Sequence, residues 1–413
     1  MLAMLRLKDL KKVHMIGIKG TGMSALALAL HSLGIDVSGS DSPDSFLLLD
    51  ATRFTKAGIP IADDFAPEHV PGQVDAVITS SSHGSKNVEI MEAERRGLPI
   101  LEYKDVIGLL SREFKSIAVA GSHGKTTTTN LLAHVLQTAG LPVLAIAGPT
   151  SPQVLDEMTD APPLKIRGGR GAIFVMEADE YENKLAHYSP FGMILTNVEL
   201  DHPDYFKTKA QYEKVFSDFI KKIPADGFLI DGRTIPYELG KHYEFDAELV
   251  RRAAKQLGVS DTDIERGIAS FRGSPRRMEK VSDHPLIYDD YGHHPTEIKT
   301  TLRALKNLHP DKTIWCVFHP HTFTRTKTFL KEFGDSFADA DHTIVLEIWG
   351  SAREQHGTVS SRDVVAEIQT HGGKADYAAT FEDAAALLKG KLNETTVLLT
   401  IGAGDIWKLH KLL

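Results

Sequence analysis

Ala118-Val119-Ala120-Gly121-Ser122-His123-Gly124-Lys125-Thr126-Thr127 is a small-residue apolar run that breaks on two glycines and passes directly into a helical pattern. A buried strand (Ile117–Ala120) feeding a glycine turn that opens a helix (Thr126 to Ala139) is where backbone N–H groups and the helix dipole can hold phosphate oxygens. In such a loop Lys125 reaches the terminal phosphates and the Thr126 hydroxyl binds magnesium. The spacing, GxxGKTT, is two residues shorter than the common nucleotide loop. The alternative is a plain strand–helix turn carrying a surface lysine.

Upstream, Gly17-Ile18-Lys19-Gly20-Thr21-Gly22 also links a strand (Val13–Ile18) to a helix (Met23–Leu33), and Asp41 ends the next strand pattern. That layout fits a dinucleotide loop with its ribose-binding acid. The glycines are spaced GxxGxG rather than GxGxxG, so NAD is not indicated. A diphosphate on another nucleotide satisfies the same physics, and glycines serving only tight strand–helix packing satisfy it too.

Downstream, acids collect at strand ends, where side chains point into the ligand crevice of a parallel sheet. Glu177-Ala178-Asp179-Glu180-Tyr181 follows the strand Ile173–Met176, and Asn197-Val198-Glu199-Leu200-Asp201-His202 follows Met193–Thr196. Glu177 is a candidate magnesium ligand. Two such clusters beside a phosphate loop favour a two-magnesium phosphoryl site over surface decoration. Further on, Tyr288-Asp289-Asp290-Tyr291-Gly292-His293-His294-Pro295 and His319-Pro320-His321-Thr322-Phe323-Thr324-Arg325 again follow strands, Leu286–Tyr288 and Thr313–Phe318. Four histidines next to Pro and Arg suit a carboxylate or an amine at least as well as a metal, and hydrogen bonding alone would also account for them. Arg276 and Arg277 stand where they could cross to another domain's phosphates.

Over the whole length, short β-branched runs alternate with helical patterns, which predicts α/β architecture with parallel sheets. The 413 residues at about 150 per domain suggest two or three domains. The pattern restarts near residues 112 and 272, giving expected domains 1–112, 113–272 and 273–413. Ala161–Gly171 is expected to be a surface loop. The composition, 42% hydrophobic and 25% charged with a net charge of −8, disfavours a general electrostatic grip on nucleic acid or anionic membrane. The single cysteine, Cys316, precludes an internal disulfide or a cysteine zinc cluster. Charges at Arg6, Lys8 and Asp9 interrupt any signal-peptide core, and no apolar run reaches the ~18 residues of a membrane span. A cytoplasmic location is expected. The residues alone describe an enzyme joining ATP to a second, nucleotide-tagged substrate, with phosphoryl transfer driven by positioning and charge neutralisation.

Taken in order, HMIGIKGTGMSALA, AGSHGKTTTTNLL, EADEY, TNVELDHPDYF, FRGSPRRMEKV, DDYGHHPTEI, HPHTFTRTK, SAREQHGTVSS and LLTIGAGDIW resemble the Mur ligase family, and in its alanine-adding branch in particular. The resemblance covers nearly the whole chain. It implies a three-domain fold: a Rossmann-like N-terminal domain for a UDP-linked substrate, a P-loop ATPase-like central domain, and a Rossmann-like C-terminal domain for the amino acid. The implied reaction belongs to peptidoglycan precursor synthesis. The lactyl carboxylate of UDP-N-acetylmuramate attacks the γ-phosphate of ATP, and the amine of L-alanine then displaces phosphate from the acyl phosphate.

By the same resemblance Gly121, Ser122, His123, Gly124, Lys125, Thr126 and Thr127 hold ATP, and Lys125 stabilises its γ-phosphate. Thr126 and Glu177 bind one Mg2+ and His202 a second. Asn197 contacts the nucleotide, Asp290 its ribose, and Arg277 its phosphates after domain closure. His293, His321 and Arg325 surround the amino acid, Arg325 pairing with its carboxylate. Gly20, Thr21, Gly22 and Asp41 hold the UDP group, with Ser80 and Ser81 nearby. The implied enzyme is a cytoplasmic monomer or homodimer acting on small molecules, with no nucleic acid or membrane partner.

The chain departs from the family pattern at several points. Tyr243 and Asp246 follow His242 where asparagines are usual, the stretch between Asp231 and Gly240 is short, Lys19 replaces a glycine, and Asp64-Phe65-Ala66 replaces a Gly-His pair. Two other readings therefore stand beside alanine ligation: a recycling ligase that attaches a murein tripeptide, and a nucleotide-binding homologue without ligase activity.

Overall fold

A computed structural model describes residues 5–43, 51–80, 83–160, 171–350, 354 and 356–413. Three sheets follow one another along the chain. The first comprises β1 (Lys12–Ile16), β2 (Asp36–Ser40), β3 (Ile61–Ala62), β4 (Ala76–Thr79) and β5 (Ile100–Glu102), in the order β3-β2-β1-β4-β5. The second comprises β6 (Lys115–Ala120), β7 (Val143–Ile146), β8 (Ile173–Glu177), β9 (Gly192–Leu195) and β10 (Phe228–Asp231), in the order β10-β9-β6-β8-β7. All neighbours in both sheets are parallel. The third comprises β11 (Glu279–Asp283), β12 (Leu286–Asp290), β13 (Thr313–Phe318), β14 (His342–Leu346), β15 (Ala375–Ala378) and β16 (Thr396–Ile401), in the order β11-β12-β16-β13-β14-β15. Only its edge strand β11 runs antiparallel.

The strands read as unbroken apolar runs because both faces are covered, as parallel sheets require. In the third sheet alternate residues go to opposite cores. Ile314, Cys316 and Phe318 of β13 pack with Ile298, Leu302 and Leu305. Trp315 and Val317 pack with Leu388, Ile406 and Leu409 on the other side.

The chain divides into two compact units. The first holds residues 1–198, 213–234 and 246–275, and the second holds 199–212, 235–245 and 276–413. The first two sheets fall in one unit and the third in the other. Among the described residues no helix is long and apolar enough to cross a membrane.

The structure corrects several expected elements. The first strand stops at Ile16 because Gly17 turns the backbone. The single helical pattern that the sequence carries over Thr324–Ala338 forms two helices, Phe323–Thr328 and Leu330–Ser336, broken at Phe329, whose ring packs on His294 at 4.7 Å. Residues 161–170 of the expected surface loop lie outside the described residues.

Candidate active site

In the first unit β6 lies between β8 and β9, so the glycine loop after it leaves the carboxyl end of a central strand. Gly121 has φ +136°, and a Cβ there would sit 2.1 Å from Thr196 Oγ1. Gly124 caps the helix Lys125–Thr138 in a left-handed conformation with no capping side chain. The first-turn amides of Lys125, Thr126 and Thr127 are thus left as the helix's orphan donors.

The amides of Ser122 and His123 are already engaged. They donate to Asn197 O at 3.2 Å and to Asn197 Oδ1 at 3.0 Å. Asn197 Nδ2 and Thr196 Oγ1 donate back to His123 O. Asn197, expected beside the nucleotide, braces the loop in this structure. Asp246 lies on the other side of the loop, its Oδ1 2.9 Å from where a Cβ on Gly124 would stand.

Lys125 Nζ donates to the carbonyls of Gly121 and Ser122 and to Glu180 Oε2 at 3.0 Å. Burial works against its ammonium form, but Glu180, Asp179 and Glu177 outweigh it and raise the pKa. Lys125 is a fixed cation. Glu180, fully buried, is its counter-ion and went unassigned in the sequence; its one signal there was an acid three residues past Glu177 in the turn after β8. Thr126 Oγ1 lies 3.0 Å from both carboxylate oxygens of Glu177. This hydroxyl–carboxylate pair, both oxygen donors, is the set that Mg2+ takes, and the orphan amides beside it suit phosphate. The residues present therefore fit the expected cofactor and nucleotide.

The first glycine loop follows β1, which has β2 and β3 on one side and β4 and β5 on the other, so the strand order reverses there at a topological switch point. Its own hydrogen bonds consume the early amides: Gly17 and Ile18 donate to Ser40 O, Gly20 to Gly17 O, and Lys19 to Asp41 Oδ2 at 2.7 Å. Asp41, expected to meet a ribose, is buried and ties the loop to the end of β2. Thr21, Gly22 and Met23 open the helix Thr21–Ser32, again without a side-chain cap, and carry its orphan donors. Ser80 directly follows β4, while Ser81 lies outside the described residues. Buried Glu89 also went unread: it accepts from Ser40 Oγ at 2.5 Å and meets His14 Nε2 at 3.2 Å, anchoring β2 behind the loop.

The two loops come close within this unit. Thr21 Cγ2 stands 3.8 Å from the position of a Cβ on Gly148, and the Gly148 amide donates to Glu177 Oε2 at 2.8 Å.

The second unit gathers His293, His321, Arg325 and Asp201. Arg325 is buried, and its Nε and Nη2 donate to Asp201 Oδ1 at 3.1 and 2.9 Å, while Nη1 faces His321 Nδ1 at 3.4 Å. Burial alone would raise the Asp201 pKa, but Arg325 and the neighbouring imidazoles of His202, His293 and His294 hold it well below the usual range. Burial and the nearby cation Arg325 push His293 down to about 4, and burial with His293 pushes His321 down to about 2. His321 stacks on the half-exposed indole of Trp349 at 5.0 Å. His202 takes a left-handed backbone (φ +55°), and its amide donates to Asp201 Oδ1.

Asp290, expected at the ribose, accepts from the Gly292 and Met278 amides at 2.7 and 2.8 Å, and burial lifts its pKa to about 6. Arg276 is buried on Asp289 and on the carbonyls of Gly402 and Gly404. Arg277 lies over the Tyr291 ring, 3.7 Å from Glu297.

These loops and sheets define an ATP-dependent ligase fold, and the chain belongs to the Mur ligase family. Profiles for the Mur ligase family catalytic domain, the Mur ligase middle domain and the glutamate ligase domain match residues 12–115, 119–251 and 276–404. Among curated relatives, the UDP-N-acetylmuramate–L-alanine ligase of Desulfitobacterium hafniense is 32% identical over 97% of this chain and 99% of its own length. That of Lactiplantibacillus plantarum is 34% identical over 97% of each. In fold, the chain is similar to UDP-N-acetylmuramate-alanine ligase from Thermotoga maritima (TM-score 0.72, 22% identity, 97% of each chain). It is also similar to a murein peptide ligase from Psychrobacter arcticus (TM-score 0.66, 22% identity, 97% of each chain).

Proposed function

We propose that this chain ligates L-alanine to the lactyl carboxylate of UDP-N-acetylmuramate at the expense of ATP. The observation that carries the proposal is the approach of the two glycine cradles in one unit: Thr21 abuts Gly148, whose amide holds Glu177, which in turn meets Thr126. A diphosphate on the Thr21–Met23 amides and a triphosphate on the Lys125–Thr127 amides then stand side by side.

The carboxylate oxygen attacks the γ-phosphorus, ADP leaves, and an acyl phosphate forms. The amine nitrogen attacks the acyl carbon, inorganic phosphate leaves, and the nitrogen loses a proton. Lys125 exchanges the Gly121 and Ser122 carbonyls for γ-phosphate oxygens and neutralises charge that grows in the transition state. Magnesium supplies further charge neutralisation when bound, with Thr126 and Glu177 assigned to one ion and His202 to a second. In the second unit His293 and His321 stay uncharged, which keeps them from repelling an ammonium group. Arg325 and Asp201 offer one cation and one anion to an amino acid's two ends.

The test is phosphate release with UDP-N-acetylmuramate and ATP, comparing L-alanine, glycine, L-serine and a murein tripeptide, followed by the product's mass. Release that depends on L-alanine, with a product heavier by one alanyl residue, is expected. Release that depends on tripeptide alone would assign the recycling reaction. ATP binding without release under any acceptor would assign a non-catalytic homologue.

A further inference from the structure

Between the first glycine loop and the turn after β8 lies a cleft of about 220 Å3 within the first unit. Its lining combines Gly20, Thr21, Gly22 and Ser80 with a wall of Tyr103, Lys104 and Lys184. Tyr103 begins the helix Tyr103–Glu113, directly after β5. Its ring packs on the bare Cα of Gly22, where any Cβ would meet ring carbons at 3.3 Å.

Both lysines of this wall are paired, Lys104 with Glu102 and Lys184 with Asp179. Tyr103 differs. Among the described residues its hydroxyl has no hydrogen-bond partner, and the residue as a whole is half-buried. Burial, with the negative charges of Glu177 and Asp179 nearby, raises its pKa, so the phenol keeps its proton and stands as a donor. A donor hydroxyl that faces a cleft without a protein partner is a place where a ligand oxygen completes the pair.

The backbone around the cleft is shaped to present this wall. Glu182 and Asn183 both take left-handed conformations (φ +54° and +56°), a costly pair for residues other than glycine. Lys222 Nζ pins the same segment by donating to the carbonyls of Leu185, Ala186 and Tyr188.

We infer that Tyr103 is a substrate-binding residue whose hydroxyl donates to an oxygen of the sugar–acid portion of a nucleoside-diphosphate-linked substrate, between the Thr21–Met23 cradle and Glu177. The inference rests on the proposed ligation of UDP-N-acetylmuramate. A diphosphate at the first-turn amides leaves the sugar and its acid to pass the phenol on the way to the γ-phosphate.

Tyr103→Phe removes only the hydroxyl and keeps the ring on Gly22. Calorimetric titration of wild type and variant with UDP-N-acetylmuramate, UDP alone, and a non-hydrolysable ATP analogue with Mg2+ separates the possibilities. One lost hydrogen bond predicts UDP-N-acetylmuramate binding weaker by about 2- to 10-fold. Its KM should rise by a similar factor, with kcat, UDP affinity, ATP-analogue affinity and thermal midpoint unchanged. A purely structural hydroxyl would not produce that split. Unchanged UDP-N-acetylmuramate affinity, or equal loss for UDP alone or for the ATP analogue, overturns the assignment while leaving the ligase reading intact. Wild-type protein that binds the ATP analogue but not UDP-N-acetylmuramate removes both.

Discussion

The two units hold their polar chemistry by opposite means. In the first, the backbone presents the open polar groups: glycines at β1 and β6 leave helix first-turn amides bare, and side chains such as Asn197 and Asp41 are spent bracing the loops. Its key cation, Lys125, lies among three carboxylates and keeps its charge. In the second, side chains from distant segments converge. One buried ion pair, Asp201 with Arg325, sits among imidazoles that burial strips of their protons. The lesson is one of fragility. A backbone cradle survives the loss of any one side chain, whereas a buried pair holds only while both partners are present.

The largest expected effect lies in the second unit. Asp201→Ala strands the Arg325 guanidinium in a buried site, and an uncompensated buried charge costs about 3–5 kcal/mol. All three tryptophans, Trp315, Trp349 and Trp407, belong to this unit, so urea unfolding followed by tryptophan fluorescence reads it selectively. Asp201→Ala/Arg325→Ala should lose less than the two single variants together. A single-variant cost below about 1 kcal/mol, the range of a solvated pair, would erase the contrast between the units.

In the first unit Lys125→Ala should act chiefly on rate, with a smaller loss of stability because buried Glu180 is left without its counter-ion. Removing a preorganised charge from the transition state costs about 100- to 1,000-fold in turnover. The loop itself should persist, because Asn197 and Thr196 brace His123 without the lysine. ADP release at the wild-type rate would show that the cradle has been misassigned. A collapsed thermal midpoint would show instead that Lys125 is structural, like Arg325.

The same division explains what the sequence could show. The α/β class and most central strands were readable, since a strand buried on both faces is a continuous apolar run; Thr313–Phe318 matches to the residue. An edge strand such as Glu279–Asp283 carries no such signal, and neither do the charged amphipathic helices His242–Gln256 and Asp261–Ser270. Residues His242–Asp246, read as a departed nucleotide motif, open the first of those helices. Both cradles were legible because glycine spacing dictates backbone, and Thr126 does meet Glu177, 51 residues away. The Asp201–Arg325 pair spans 124 residues, and Glu180 and Glu89 are buried acids that look like surface ones in one dimension. Convergence of side chains depends on how the strands are ordered in a sheet, which local pattern does not encode.

The smallest effect sharpens the contrast through pH. His319 is buried with Nδ1 unpartnered, and burial pushes it down to about 4 from 6.5. A histidine whose pKa is depressed on folding binds fewer protons folded than unfolded. Its contribution is therefore complete above pH ~6.5 and falls away as pH drops toward ~4. At pH 5.5, one unit below the unfolded value, the unfolded state has gained about 1.4 kcal/mol per such group. His319→Gln cannot take up that proton. Between pH 7.5 and 5.5 the wild-type second unit should lose more stability than the variant, by about 1.4 kcal/mol in tryptophan-monitored urea titrations. An identical loss in both would mean that His319 protonates without unfolding, and that the second unit tolerates charge as readily as the first.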